Sequence, residues 1–441
     1  MSDRELTATQ QAAVDRLYEH DATILVAATG AGKSVICLTA IKALLDDGEL
    51  NRVIIACPAK LVSEHTHRRE VDKWKHLTGL RVFEVAGPPD QRERVVRNPA
   101  GQVLVVSLNN LGWLLDQAHG CDGIVIDELS KAAGKQTRAL RKRKGNREIK
   151  WRVGMTATPV SQNFLKLYDM CRIIDHGKAL GTNKTEYEGN YFKADYNGYN
   201  LELLPGADAV IAARVAPLVH LVEDTKASSL PPIKYRTVRF DMAGWSRVFY
   251  DEMKADLVAK LPEGGEIEAA NQAVKSGKLR QIASGFTYSE TGCAHHLDFE
   301  RVQALGRVLT LAPADKTVIF YEYTEQLTHL QGCNEMTTES VEEFINGPAR
   351  YLLAQFNSLG HGVDGLQDVC HDVVFYHPLW SRDATEQAVG RVWRQGQTRF
   401  VTVTTLVCNN TLDDVAMERV AGNAIWMEML TSHLTGKGTT T

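Results

Sequence analysis

Residues 24–34 form the stretch Ile-Leu-Val-Ala-Ala-Thr-Gly-Ala-Gly-Lys-Ser, and an apolar run resumes directly after it at residues 35–38. This pattern predicts a buried strand, a glycine-rich turn and a helix. Because Gly30 and Gly32 lack a Cβ atom, backbone N–H groups can close around a phosphate, and the helix N-terminus adds a favourable dipole. The stretch therefore predicts a loop that binds nucleotide phosphates.

Two side chains at the end of this loop suggest how a nucleotide is held. Lys33 would reach the β- and γ-phosphates, and the Ser34 hydroxyl would help to hold Mg²⁺. The strict form of the pattern has glycine where Ala27 stands, so the alternative is an ordinary glycine-rich turn capped by serine. Partners further along the chain favour the phosphate loop.

Composition limits the class of protein. The chain has 441 residues, of which 44% are hydrophobic, which is typical of a soluble globular protein of two or three domains. Its formal charge of −4 excludes a uniformly basic nucleic-acid coat, so any nucleic-acid contact must use local patches. The eight cysteines form no Cys-x-x-Cys pair, which indicates reduced thiols in an intracellular protein. The polar start and the lack of a long apolar run predict neither a signal peptide nor a membrane contact.

Short apolar runs alternate with helical patterns through the first half, with strand-like runs at residues 52–57, 103–107 and 123–126 and a helix at about 61–74. Such alternation predicts a parallel sheet covered on both faces, with ligands at the carboxyl ends of its strands. Asp127 and Glu128 lie at one such end, where Asp127 would order Mg²⁺ through water and Glu128 would polarise the water that attacks the γ-phosphate. A solvated acidic turn is the alternative, and the upstream Gly-Lys-Ser favours the site.

Three further features of the first half have both a functional and a structural interpretation. Gln10, in a helical stretch, can donate to and accept from an adenine edge, or it is a surface helix residue. The basic run at residues 138–147 is a phosphate-contacting surface or a solvated loop. Residues 151–159 predict a strand followed by a hydroxyl-rich turn. The hydroxyl groups either respond to the neighbouring acidic pair or cap the helix that follows.

The second half predicts another sheet. Residues 175–230 lose the alternating rhythm and are interpreted as an inserted or connecting region that ends at Leu230-Pro231-Pro232. Strand-like residues 235–240 follow, and then helical patterns at 243–260 and 266–283 that suggest a protrusion. Strand-like runs at 316–321, 350–354 and 372–376 predict a second parallel sheet, which has no phosphate loop.

This second sheet is followed by an arginine motif, Gln-Ala-Val-Gly-Arg-Val-Trp-Arg-Gln-Gly-Gln, at residues 387–397. Arg391 and Arg394 are one helical turn apart, so both guanidinium groups can leave one face of a helix. A planar, permanently charged guanidinium suits a transition state whose negative charge spreads over phosphoryl oxygens. A lone Arg-x-x-Arg is usually a surface helix, but in a second lobe facing a nucleotide it predicts a pair of arginine fingers.

Taken in order, residues 28–34, Asp127-Glu128, residues 156–159 and residues 387–397 resemble superfamily-two helicases. More narrowly, the chain is similar to the Swi/Snf family of ATP-driven DNA translocases. Further matching stretches are residues 57–74, 158–163, 230–232, 279–282, 358–366 and 377–380, so that the resemblance covers nearly the whole chain.

The resemblance implies an α/β fold of two RecA-like lobes with mostly parallel sheets, small helical insertions and a nucleotide cleft between the lobes. Lobe 1 would span residues 1–225 and bind ATP, and lobe 2 would span 226–441 with a helical protrusion at about 243–290. Gln10 would contact adenine, and Ser34 and Asp127 would serve Mg²⁺. The phosphate-holding residues would be Thr29, Gly30, Ala31, Gly32, Lys33 and Ser34, and the catalytic ones Lys33, Asp127, Glu128, Gln387, Arg391 and Arg394.

The implied activity is that of a DNA-dependent ATPase, a monomeric motor that moves on double-stranded DNA and holds it through its phosphates. Two alternatives remain: a helicase that separates or anneals strands on forked DNA or RNA, and a nucleotide-dependent clamp without turnover.

The sequence departs from the family pattern at two places, which weakens what the resemblance implies there. Leu129-Ser130 replace the usual Ala-His after the acidic pair, and the segment between Tyr323 and Arg350 is short enough that a DNA-contacting loop could be missing. The compact chain looks like a viral or bacterial member, acting in the cytosol or near the nucleoid.

Overall fold

The computed structural model describes residues 5–28, 30–117, 120–132, 148–157, 164–194, 201–222, 230–256, 258–260, 266–268, 272–289, 291–311, 315–331, 337–355, 365–380, 382–418 and 420–421. These residues divide into two compact units, at 5–222 and 230–421. Within them, none of the helices combines the length and the apolar character that a bilayer crossing requires.

The first unit is built on a parallel sheet. Its strands are β1 (Ala22–Ala27), β2 (Val53–Cys57), β3 (Val82–Val85), β4 (Val103–Ser107), β5 (Gly123–Asp127), β6 (Trp151–Thr156), β7 (Phe192–Ala194), β8 (Leu201–Leu203) and β9 (Val219–Val222). Seven of them pair in the order β3-β4-β2-β5-β6-β1-β9, every pair parallel, while β7 and β8 form a separate antiparallel pair.

Helices cover both faces of this sheet. They are α1 (Ala8–Glu19), α2 (Lys33–Asp46), α3 (Ala59–Ser63), α4 (Thr66–Lys73), α5 (Pro89–Arg97), α6 (Leu111–Gln117), α7 (Leu129–Ala132), α8 (Phe164–Asp175), α9 (Lys184–Tyr191) and α10 (Ala207–Val215). Successive strand residues alternate between two cores because strand side chains point to opposite faces. Leu25 packs with the apolar residues of α1 and α2, and its neighbour Ile24 packs with those of α8.

Two predictions for the first unit are wrong. The segment from residue 61 to residue 74 is two helices, α3 and α4, because His65 adopts a left-handed φ of 54° between them. The region after residue 175, interpreted as inserted or connecting, is partly an integral part of the sheet, since it holds two helices and contributes β9, which pairs with β1 at the sheet edge. A four-residue, half-buried edge strand has too little apolar periodicity to stand out in the sequence.

The second unit has its own parallel sheet. Its strands are β10 (Ile233–Phe240), β11 (Val258–Lys260), β12 (Glu266–Glu268), β13 (Phe286–Tyr288), β14 (Ala294–His296), β15 (Thr317–Tyr321), β16 (Thr337–Thr338), β17 (Tyr351–Gln355), β18 (Asp372–Phe375) and β19 (Val401–Cys408). Six pair in parallel in the order β10-β19-β18-β15-β17-β16, and β11–β12 and β13–β14 are antiparallel hairpins.

The helices of this unit are α11 (Gly244–Asp256), α12 (Gln272–Ala283), α13 (Glu300–Leu311), α14 (Glu325–Gln331), α15 (Val341–Asn346), α16 (Leu366–Val369) and α17 (Arg382–Val389). The helix predicted for residues 266–283 is wrong at its start, because Glu266–Glu268 pairs with Val258–Lys260 as a hairpin and the helix begins at Gln272. The α/β class with two RecA-like lobes and small helical insertions is confirmed.

A buried polar network holds the core of the second unit together. Arg301, 1% exposed, donates to Asp413 and to the carbonyls of Tyr376 and Ala283. Although burial alone would raise it, the adjacent Arg301 holds the pKa of Asp413 well below its usual range. Burial, reinforced by Arg301, lowers the pKa of His377 to about 3, so His377 is neutral and its Nε2 lies 3.0 Å from the Ser284 hydroxyl. The network joins α13 to the end of α12 and to the segments that follow β18 and β19.

Candidate functional site

The loop between β1 and α2 has the backbone that the sequence predicts for phosphate binding. Gly30 and Gly32 have φ values of 88° and 89°, in the left-handed region that glycine adopts without strain. Gly32 is the N-cap of the 14-residue helix α2, and glycine has no side chain that could cap that end. The first backbone N–H groups of a helix have no intrahelical acceptor, so they can bind an anion. Thr29 lies outside the described residues, and its role stays a prediction.

Lys33 and Ser34 occupy the first turn of α2, and both are half-buried. The Lys33 ammonium donates to the Ala27 carbonyl at 2.7 Å and to the Ala28 carbonyl at 3.2 Å. It therefore lies over the carboxyl end of β1, beside the loop. The Ser34 hydroxyl belongs to the same helical turn, which is where an oxygen ligand for Mg²⁺ is expected.

Gln10 binds the loop from α1. Its Oε1 accepts from the Thr7 backbone N–H at 3.0 Å, which completes a capping box at the start of α1. Its Nε2 donates to the Ala31 carbonyl at 3.0 Å, and the side chain is buried. A Cβ atom built on Gly32 would lie 2.5 Å from that Nε2. Gln10 thus contacts the loop through Nε2 and the start of α1 through Oε1, and the predicted contact with adenine stays a prediction.

Asp127 ends β5 and Glu128 follows it, at the same edge of the sheet as the loop. The carboxyl ends of parallel strands share one edge, and β6 alone separates β5 from β1, a lateral distance of about 10 Å. Asp127 is 7% exposed. Glu128 has a φ of 59°, an uncommon value for a residue other than glycine and the kind of local strain that concentrates at functional sites.

The donor atoms at this edge fit a magnesium nucleotide. Mg²⁺ prefers hard oxygen ligands, and Asp127 and Ser34 supply a carboxylate and a hydroxyl. The loop supplies backbone N–H groups and a lysine, and at Gly32 an added Cβ atom would clash with the Gln10 side chain. A cysteine nucleophile does not fit, since burial, with Asp127 as a second cause, raises the pKa of Cys57 to about 12.

The sequence interpretation missed one residue at this edge. His67 on α4 is 2% exposed, and its Nε2 lies 3.5 Å from Asp127 Oδ2. A histidine in a short polar helix gives no sequence signal of that contact. Only the packing of α4 against the strand ends brings the two together.

The arginine motif lies in the second unit, and the prediction that its arginines share a helical face is wrong. Helix α17 ends at Val389, with Gln387 buried on it, and Arg391 and Arg394 lie in the turns that follow. Glycines at residues 390 and 396 and a chain of turn hydrogen bonds replace the helix there. The Trp393 indole donates to the Pro231 carbonyl at 2.8 Å, which fixes the turn between the two arginines. The role of Gln387, Arg391 and Arg394 in the same site as Lys33 stays a prediction.

Several other predicted elements lie outside the described residues. These are the basic run at 138–147, Thr158-Pro159, and residues 358–364 of the stretch that resembles the family. Their predicted roles stay predictions.

Comparison with known proteins shows which families and relatives this chain resembles. Residues 7–167 match the family described as DEAD/DEAH box helicase. Protein p41 of Acyrthosiphon pisum secondary endosymbiont phage 1 is 25% identical over 437 residues, covering 93% of this chain and 94% of that protein. DNA repair and recombination protein RAD54B of Gallus gallus is 22% identical over 90% of this chain, which spans about half (50%) of that protein's length.

Among solved structures, the Sulfolobus solfataricus SWI2/SNF2 ATPase core in complex with dsDNA aligns over 98% of this chain and 94% of its own, with 17% identity and a TM-score of 0.46. The family match covers the part of the first unit that holds the phosphate loop and the acidic pair. Together with the relatives that extend along the chain, it shows that this chain is similar to superfamily-two, Snf2-like helicases, and it indicates an ATP-hydrolysing enzyme.

Proposed function

We propose that this protein is a DNA-dependent ATPase that translocates on double-stranded DNA by ATP-driven closure of its two lobes. The observation that carries the ATPase part is the phosphate loop with Asp127 and Glu128 at the same edge of one parallel sheet. The DNA part is supported by a relative named as a DNA repair and recombination protein, which matches 90% of this chain. DNA bound through its phosphates would be held without sequence preference.

In the proposed mechanism, the first N–H groups of α2 and the Lys33 ammonium hold the β- and γ-phosphates. Ser34 and Asp127 would hold Mg²⁺, which would supply positive charge to the phosphate oxygens. Glu128 orients the attacking water and accepts its proton. The two carboxylates have different positions on the chain, since Asp127 ends β5 and Glu128 has the left-handed backbone directly after it.

The second unit contributes charge in this proposal. Arg391 and Arg394 stabilise the negative charge that develops on the transferring phosphoryl group, and Gln387 completes the set. Because these residues belong to a different unit from Lys33, hydrolysis depends on the lobes closing, and nucleotide turnover is coupled to movement.

The test compares ATP turnover without polymer, with duplex DNA, with single-stranded DNA and with duplex RNA, using Glu128→Gln as the inactive control. A rate of ATP turnover that is higher with duplex DNA than in the other three conditions supports the proposal. Equal rates in all four conditions contradict the proposed dependence on DNA. An Arg394→Ala variant that keeps the full DNA-stimulated rate would contradict the role of the second unit.

Movement on DNA requires its own measurement. Displacement of a third strand from a triplex, without unwinding of a fork, supports translocation on duplex DNA. Fork unwinding without triplex displacement would identify the strand-separating helicase, which the DEAD/DEAH box match favours. DNA binding that responds to nucleotide but releases no phosphate would identify a clamp.

We also propose a monomeric motor that works in the cytosol of a bacterium or of a virus-infected cell. A phage relative that aligns over nearly its full length supports this setting. Light scattering of the protein on duplex DNA tests the monomer, and a dimer at concentrations that give full activity would refute it.

A further inference from the structure

His67 is buried although most of its helix is solvated. In α4 its neighbours Arg68 and Arg69 are exposed, whereas His67 is 2% exposed. Neither of its ring nitrogens has a hydrogen-bond partner among the described residues. A buried polar atom without a partner costs about 1–3 kcal/mol, so packing alone does not account for an imidazole at this position.

Among the described residues, the one charged group that His67 approaches belongs to the candidate site. Its Nε2 is 3.5 Å from Asp127 Oδ2, longer than a direct hydrogen bond and close enough for one small shift or one bridging water. The thiols near Asp127 supply no competing charge, because burial, with Asp127 as a second cause, raises the pKa of Cys57 to about 12 and also raises that of Cys37. Nε2 therefore faces the carboxylate that is expected to serve Mg²⁺.

We propose that His67 is a positioning residue for Asp127: an N–H at Nε2 holds the carboxylate, directly or through one water, in the orientation that serves the nucleotide's Mg²⁺. This inference rests on the proposed role of Asp127. Groups that orient a metal-serving carboxylate change metal affinity or activity about 10- to 100-fold when they are replaced. In this role, the effect of His67 on Asp127 comes from the N–H at Nε2, and the shape of the ring matters less.

Two substitutions separate polarity from packing. His67→Phe keeps a ring of similar size and removes the nitrogen, and His67→Gln keeps an N–H near the Nε2 position and removes the ring. A packing role predicts that phenylalanine is the milder change, and the proposed role predicts the reverse order. His65→Asn is the matched control, because His65 precedes α4, is exposed and pairs with Glu84 at 3.2 Å. Asparagine tolerates the left-handed backbone of that position.

The experiment measures the affinity of the full chain for a fluorescent ADP analogue in Mg²⁺ and in EDTA, and the Mg²⁺ concentration that half-saturates ATP turnover. We expect His67→Phe to reduce the Mg²⁺-dependent gain in affinity about tenfold and to raise the half-saturating Mg²⁺ concentration to the same extent. Affinity in EDTA stays at the wild-type value, which also shows that the loop is folded. His67→Gln recovers most of the loss, and His65→Asn matches the wild type.

Wild-type behaviour of His67→Phe, or a smaller loss for phenylalanine than for glutamine, overturns the inference while leaving the proposed function intact. Equal losses in Mg²⁺ and in EDTA also overturn it, because they indicate a general distortion of the loop. If the wild-type protein itself gains no affinity from Mg²⁺ and releases no phosphate, the proposed site fails instead.

Discussion

Replacement of Gln10 by glutamate separates two roles that this residue can have. In the structure, Oε1 accepts from the Thr7 N–H and Nε2 donates to the Ala31 carbonyl, each at 3.0 Å. Glutamate keeps the acceptor for Thr7 and replaces the donor by an oxygen that faces the Ala31 carbonyl. The substitution therefore removes the contact with the phosphate loop and preserves the cap of α1.

The size of the effect follows from burial. A lost hydrogen bond that leaves a buried carbonyl without a donor costs about 2 kcal/mol. If that cost falls on the loop conformation that binds phosphate, affinity drops about 30-fold, since each 1.4 kcal/mol is a factor of about ten. Gln11→Glu makes the same chemical change one residue away, where Gln11 is exposed and its side-chain amide bonds only to the Asp15 side chain among the described residues.

The assay measures the affinity of ATP, GTP and inorganic tripolyphosphate for the wild type and both variants. If Gln10 acts by shaping the loop, Gln10→Glu weakens all three ligands in parallel, and Gln11→Glu weakens none by more than about twofold. If ATP weakens and tripolyphosphate does not, the loop-shaping argument is refuted and Gln10 acts by contacting adenine, as the sequence predicts.

Three other predictions follow from single contacts. Glu128→Gln keeps ATP affinity and slows turnover at least about 100-fold in a phosphate-release assay, because a general base is lost; unchanged turnover would contradict its assignment. Gly32→Ala lowers the melting temperature and nucleotide affinity more than Gly30→Ala, because both have a positive φ but only Gly32 has a side chain 2.5 Å from an added Cβ; equal effects would show that backbone strain alone matters. His377 has a pKa of about 3 when folded, mainly through burial, against about 6.5 unfolded, so the unfolded state binds more protons between these values. Its contribution to stability is present above about pH 6.5 and is lost as the pH falls towards 3, so wild type should lose more urea resistance between pH 7 and pH 5 than His377→Gln.

The sequence alone is sufficient for the elements whose signal is local. The apolar run before Gly30, the glycines and Lys33 predict strand, loop and helix, and the structure has β1, the left-handed glycines and α2 at those positions. Asp127 and Glu128 are predicted at the end of a buried strand and lie at the end of β5. These predictions succeed because hydrophobic periodicity and the conformational freedom of glycine act over a few neighbouring residues.

Only the tertiary structure decides which distant residues meet. It places His67 beside Asp127, aims the Gln10 amide at the Ala31 carbonyl and ends α17 before Arg391. It also pairs β9 with β1 and closes the β11–β12 hairpin, two elements that the sequence interpretation assigned to a connection and a helix. The physical reason is the same in each case: the contact joins segments far apart in the chain, so its free energy depends on burial and partner geometry that no local pattern records.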